Sequence, residues 1–179
     1  WEDTLNIRHY LWDNDFRVAE AMDTSQRGMG LPWIKAKLLI KETLSESQSR
    51  KMAKGVVCGA GTDHVEYRKL RSKQAIVDAY REQTDWIEDQ GGQCIIMASR
   101  SFTANHFAAS AYVEIYQKVI ERTAHPVILH WLGDMFDPLL RGYWGHTKKI
   151  DAGNTVLKII KSLPEKIEGI KISLLDKNF

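Results

Sequence analysis

The sequence is short of the features that would move it out of the ordinary globular classes. Its 179 residues hold two cysteines, Cys58 and Cys94, too few for a disulfide framework. Both sit in apolar, strand-like runs and read as buried free thiols of a reducing cytoplasm. No apolar run approaches the roughly 20 residues of a membrane-spanning helix. The opening residues, Trp1-Glu2-Asp3-Thr4, lack the basic-then-apolar order of a signal peptide. There is no excess of one charge either. Lys+Arg 25 against Asp+Glu 23 leaves +2, too balanced for a nucleic-acid surface. These absences lead to an expected cytoplasmic location, with neither a nucleic acid nor a membrane as partner. Also missing are a hairpin signal, an interior linker and a low-complexity tract.

What remains is ordinary globular usage, 44% hydrophobic and 27% charged, in a length that suits one domain with a sizeable core. Residues 5–13 can form a short helix, and residues 17–22 a first strand. Pro32 sits where a helix tolerates proline, and Ala36, Leu39, Ile40, Thr43 and Leu44 keep the 3.6-residue period to about Ser49. Gly55-Val56-Val57-Cys58 is a second strand. Ser72 can cap a helix whose inner face is Ile76, Ala79, Tyr80, Gln83 and Ile87. Gly91-Gly92 ends it, and residues 93–97 form a third strand. A helix is expected over 105–122, a fourth strand over 126–130, a helix over 155–163 and a fifth strand over 169–173. Apolar strands alternating with amphipathic helices predict a parallel sheet covered by helices, either a (β/α) barrel or an open doubly wound sheet.

The stretch richest in chemistry is 125–145, HPVILHWLGDMFDPLLRGYWG. An apolar strand opens there into a loop holding His130, Trp131, Asp134, Asp137, Arg141, Tyr143 and Trp144. In parallel α/β proteins function sits at the carboxyl ends of strands. The other strand ends supply Asp23-Thr24-Ser25, Gly59-Ala60-Gly61, Ser99-Arg100-Ser101 and Lys171. Lys171 lies between Ile170 and Ile172. A half-buried amine there either snorkels to water or serves as a nucleophile for carbonyl substrates. Gly59-Ala60-Gly61 lacks the third glycine of a dinucleotide fingerprint, so it reads as a tight turn whose N–H groups face a ligand. Thr24-Ser25 can cap a helix or hold a carboxylate. Arg100 can grip a substrate carboxylate, or pair with Asp23 or Asp134. His130, Asp134 and Asp137 are of types that suit a divalent metal, at a spacing that matches no ligand motif. Arg68, Lys69, Arg71 and Lys73 make a basic run, most simply a solvated face.

GVVCGAGTD at 55–63, GQCIIMASR at 92–100, PVILHWLGDMFDP at 126–138 and EGIKIS at 168–173 occur in an order that resembles the dihydrodipicolinate synthase/N-acetylneuraminate lyase superfamily. Within it, AMDTSQRGMGL at 21–31 and the 130–145 loop look like one bacterial family of unknown function, domain-of-unknown-function family 993. The resemblance implies a (β/α)8 TIM barrel acting as a class I aldolase or lyase on 2-keto acids or sugar acids. Lys171 matches the superfamily's Schiff-base lysine, Thr24 and Ser25 its paired hydroxyls, and Gly59 to Gly61 its glycine turn. The superfamily's strand-four tyrosine has no match, since the region reads Ala98-Ser99-Arg100-Ser101. The matched strands are two to six of eight, and the chain opens with Trp1 rather than Met, so a partial barrel from a longer protein is expected. The expected catalytic residues are Lys171, His130 and Arg100. The expected substrate-binding residues are Asp23, Thr24, Ser25, Gly59, Gly61, Trp131 and Asp134. No cofactor is expected beyond the covalent imine on lysine, and the protein is expected to be a homo-oligomer at full length. Two rival readings stand beside this one: a metal-dependent sugar isomerase or lyase using His130, Asp134 and Asp137, and a non-catalytic sugar-acid binding barrel.

Overall fold

The computed structural model of the protein describes residues 1–52 and 55–175. Five strands, β1 (Val18–Glu20), β2 (Val56–Ala60), β3 (Gln93–Ile96), β4 (Val127–Leu132) and β5 (Ile167–Ser173), form one parallel sheet in the order β1-β2-β3-β4-β5. The helices are α1 (Glu2–Asp13), α2 (Trp33–Ser49), α3 (Lys73–Asp89), α4 (Arg100–Ala104), α5 (Ala109–Ile120) and α6 (Lys149–Ser162). A doubly wound sheet reverses its strand order at a switch point; this one does not. No helix among the described residues is long and apolar enough to cross a membrane.

The sheet is curled into a half-barrel, and side-chain contacts show how far. Neighbouring strands lie about 4.8 Å apart, so a flat sheet would hold β1 and β5 roughly 19 Å apart. Yet Arg17, at the start of β1, reaches Glu168 of β5 with Nη1 and Oε1 at 3.1 Å. Gln93 of β3 sits between them and hydrogen-bonds to both. Three alternate strands thus share one polar layer across the concave face.

Above that layer Met22, Val57, Ile95 and Met97, with Ile128 against them, make a small inner core. The main core lies on the convex side, where Val18, Cys58, Ile96 and Leu129 meet the helices. Cys58 and Cys94 pair in register as buried free thiols, as their apolar runs predict. Burial raises both thiol pKa values, so neither is poised as a nucleophile.

A capping serine marks the start of two of the six described helices, Ser72 for α3 and Ser99 for α4. The Ser72 hydroxyl accepts the Ala75 N–H at 3.1 Å, and the five residues read as the inner face of α3 are all buried. The helix expected over 105–122 is corrected: α5 begins only at Ala109, after the separate short helix α4. His106 takes a left-handed φ of 52°, and Asn105 Nδ2 turns back to the carbonyls of Ser101 and Leu70. That local side-chain bonding competes with helix continuation. The apolar face of α5, from Tyr112 to Ile120, is buried as expected. The fourth strand is also longer than its sequence reading, running on through Trp131 and Leu132.

Candidate functional site at the carboxyl ends of the strands

Residues paired across a parallel ladder point to the same face. His130 of β4 pairs with Lys171 of β5, and Leu132 with Ser173. Lys171 and Ser173, two apart on one strand, therefore share the concave face with His130. Their atoms meet: Lys171 Nζ lies 2.9 Å from His130 Nε2 and 2.9 Å from Ser173 Oγ. Ser173 Oγ is in turn 3.0 Å from His130 Nε2.

The opposite side of the imidazole faces Asp23, which follows β1. Nδ1 and Oδ2 stand 2.9 Å apart, an approach off the line of a hydrogen bond, and neither atom has another partner. Because β2 and β3 separate β1 from β4 in the sheet, only the curl brings this aspartate to this histidine. We assign the ring proton to Nδ1 from the charge of the nearby carboxylate, not from a hydrogen bond, which leaves the Nε2 lone pair facing the lysine amine.

His130 is fully buried, Asp23 and Lys171 partly so. Burial opposes ionisation of Asp23. The adjoining His130, the Thr24 N–H and the charge of Lys171 outweigh it, holding the carboxyl below the ordinary aspartate value of 3.8. The arrangement is an amine beside an imidazole whose far nitrogen is backed by an ionised carboxylate. Chemically it can pass a proton from the amine to the ring, and it can steady the imidazolium that results.

The other residues singled out in the sequence are spread around this centre. Thr24 and Ser25 are exposed on the loop that carries Asp23, with the Thr24 N–H bonded to Asp23 Oδ1 at 2.8 Å. Gly59 and Gly61 line the inner face where Met97 crosses: a Cβ on Gly59 would lie 2.9 Å from its sulfur. The Gly61 N–H donates to Gln83 Oε1 at 2.7 Å, so it faces a side chain and not open space. Trp131 is buried on the convex side, the opposite face from His130, against Trp144. Arg100 is exposed and pairs with Asp137 at 2.7 Å, not with Asp23 or Asp134. Asp134 is exposed, and Asp137 also accepts the Leu139 N–H. No three His, Cys, Asp or Glu side chains among the described residues converge as a ligand set, so His130, Asp134 and Asp137 are not brought together.

The aromatic loop after β4 has a different role from the one its composition implies. Tyr143 and Trp144 are buried, Tyr143 edge-on to Phe102 and Tyr112 and Trp144 tilted against Tyr116. The Tyr143 hydroxyl accepts the Ser99 N–H at 3.1 Å and meets the Tyr116 hydroxyl at 3.0 Å. Burial raises the Tyr143 pKa well above the ordinary tyrosine value. The loop is anchored as core.

Ser173 escapes the sequence reading, although its signal was available in the alternation Lys171-Ile172-Ser173. A second polar network was also missed. Arg27, inside the sheet end, donates to Gly59 O at 2.8 Å and Gln83 Oε1 at 2.7 Å and pairs with Asp63. It fixes the loops after β1 and β2 together.

Fold and site together define a parallel α/β protein, TIM-barrel-like in its half-barrel sheet, with a lysine–histidine–aspartate cluster at the strand ends. The chain belongs to the family described as protein of unknown function (DUF993), whose model matches residues 1–179. A comparison with curated proteins gives no match.

Proposed function

We propose that the protein is a class I aldolase or lyase that forms a Schiff base between Lys171 and a 2-keto acid or sugar acid. The observation that carries this reading is the 2.9 Å contact of Lys171 Nζ with His130 Nε2, with Asp23 behind the ring. A primary amine attacks a carbonyl only as the free base, and an adjacent imidazole can take its proton. In the forward course His130 Nε2 takes a proton from the lysine ammonium, the amine adds to the substrate carbonyl carbon, and His130 returns that proton to the carbinolamine hydroxyl, which leaves as water to give the protonated imine. The bond between the carbon next to the imine and its hydroxyl-bearing neighbour then breaks, and its electron pair forms the enamine double bond as the imine pair moves to nitrogen. The neighbour's hydroxyl gives its proton to His130 Nε2 and becomes the carbonyl of the released fragment. The imidazolium, stabilised by Asp23, protonates the enamine carbon, and water then hydrolyses the imine and frees Lys171. Ser173 holds the amine toward the ring. In this reading Thr24 and Ser25, exposed on the loop that carries Asp23, bind the substrate's carboxylate. The same reading takes the curled sheet as strands two to six of a (β/α)8 barrel of the dihydrodipicolinate synthase/N-acetylneuraminate lyase superfamily. Its support is the unbroken strand order and the order of motifs at the strand ends.

Borohydride reduction in the presence of pyruvate or a 2-keto-3-deoxy sugar acid tests the proposal. The expected result is a reduced adduct on the peptide containing Lys171, absent from Lys171→Ala and slower to form in His130→Asn. An unmodified Lys171 across a panel of keto acids would sink the imine. Saturable sugar-acid binding that survives Lys171→Ala without turnover would point to a binding barrel instead.

A further inference from the structure

A cavity of about 590 Å³ lies away from Lys171. It lies among the loops that follow β2, β3 and β4, and its wall holds Arg68, Arg71, Arg100, Arg141 and His106 but no carboxylate residue. We propose that this cavity is a binding site for a small, multiply charged anion of the phosphate type. The proposal does not rest on the imine chemistry of Lys171.

The four arginines are exposed side chains on loops that are tied to one another. Asn105 Nδ2 ties the β2 loop to α4 by donating to the carbonyls of Leu70 and Ser101 at 2.8 and 2.7 Å. The Thr103 hydroxyl ties α4 to the β4 loop by donating to the Leu139 carbonyl at 2.6 Å. Arg68 and Arg71 each have an orienting contact. Arg71 Nε donates to the Arg68 carbonyl at 3.1 Å, and the Arg68 guanidinium lies 4.9 Å from the centre of the Tyr67 ring. Of the four arginines, Arg100 has a carboxylate partner, Asp137; Arg68, Arg71 and Arg141 have none among the described residues.

Like charges gathered round one concavity repel, and an anion relieves that repulsion. Guanidinium forks match phosphate oxygens in pairs, which a lysine ammonium does not. The volume falls in the range of small-molecule pockets. With a net charge of only +2 over the chain, the positive field is local, unlike the extended basic face that a nucleic acid needs.

Calorimetric titration with inorganic pyrophosphate at low salt tests this. Saturable one-to-one binding is expected, weakened about tenfold or more in the double variant Arg68→Ser/Arg141→Ser. Binding should be unchanged in Lys171→Ala. It should also be unchanged in Arg50→Ser/Arg122→Ser, which removes equal charge beyond the ends of α2 and α5. Should the first variant melt at lower temperature, Arg68→Lys/Arg141→Lys carries the test, since it keeps the charge and loses the fork; several-fold weakening is expected. The proposal is overturned by any of four results: no saturable binding to the native chain, equal loss in the control pair, loss in Lys171→Ala, or tighter binding of a single-stranded oligonucleotide at the same arginines.

Discussion

At the scale of single residues, the cluster of Asp23, His130, Lys171 and Ser173 shows how geometry sets charge. Asp23 is partly buried, which alone would raise its pKa, yet its neighbours keep it below the ordinary value. A carboxyl depressed in the folded state adds stability above the unfolded pKa, and that stability is lost as pH falls through the folded value. Asp23→Asn should therefore narrow the difference in stability between pH 7 and pH 3. Urea denaturation midpoints of native and variant chains at the two pH values measure it. Parallel pH dependence in the two would show that the His130 contact does not hold the carboxylate.

Two of these four residues, His130 and Lys171, were legible in the sequence as polar groups placed in apolar strands. Their mutual contact was not, because it depends on the β4–β5 register, which no local pattern encodes. Asp23 was legible as a strand-end residue expected to bind substrate, not as the neighbour of His130. Nothing near residue 23 reports that the sheet will curl far enough to lay it against residue 130.

At the scale of elements, the loop from Gly133 to His146 is the clearest case of composition misleading. Its aromatics look like a binding surface because they follow no helical or strand period, and periodicity is what marks a core residue in sequence. In the structure Tyr143 and Trp144 are core while Phe136 stays exposed, and the two are held by backbone that period-based reading cannot anticipate. Trp144 has φ 66°, and Gly142 and Gly145 have φ 81° and 80°. The two glycines differ in surroundings. A Cβ on Gly142 would meet only Thr147 Cγ2, at 3.8 Å, whereas one on Gly145 would collide with the backbone of Ala109 at the start of α5. Gly142→Ala should cost about 1 kcal/mol, the penalty for an alanine at positive φ. Gly145→Ala should cost more, roughly 2–4 kcal/mol, because helix or loop must also shift. Chemical denaturation of the two variants side by side checks the order. Equal losses would mean that the close approach to α5 is relaxed in solution.

The helices were read well where an amphipathic face and a capping serine coincide, as in α3. They were read poorly where side-chain bonds stop the chain, as at Asn105. The tyrosine hydroxyls of the cluster add a link that sequence cannot show, since each finds its partner on a different element.

For the whole molecule, the parallel sheet was legible because continuous apolar strands alternate with helices. The pattern of strands and helices left a curled and an open sheet as alternatives, and only the family resemblance pointed to a partial barrel, because the curl depends on contacts between residues far apart in the sequence. Gln93 is the middle of that closure, bonded to Arg17, to Glu168 and, at 2.7 Å, to the Pro126 carbonyl. Gln93→Ala should destabilise the protein by about 1–2 kcal/mol. It should also quicken amide exchange in β5 more than in α3, which hydrogen-exchange mass spectrometry can separate. Uniform quickening would mean that the polar layer contributes only to overall stability.

The pairing of β5 with β4 has a further consequence for how the candidate site is assembled. The two strands are held in one register from Ile128–Gly169 to Leu132–Ser173. Lys171 and Ser173 ride on β5 together, while His130 and Asp23 stay with β4 and the β1 loop. A change in that register would thus move the amine and its hydroxyl partner together and leave the imidazole–carboxylate pair assembled. The cluster is divided along a mechanical seam, nucleophile on one side and base on the other. The energy that keeps them 2.9 Å apart is the energy that keeps one strand zipped to its neighbour.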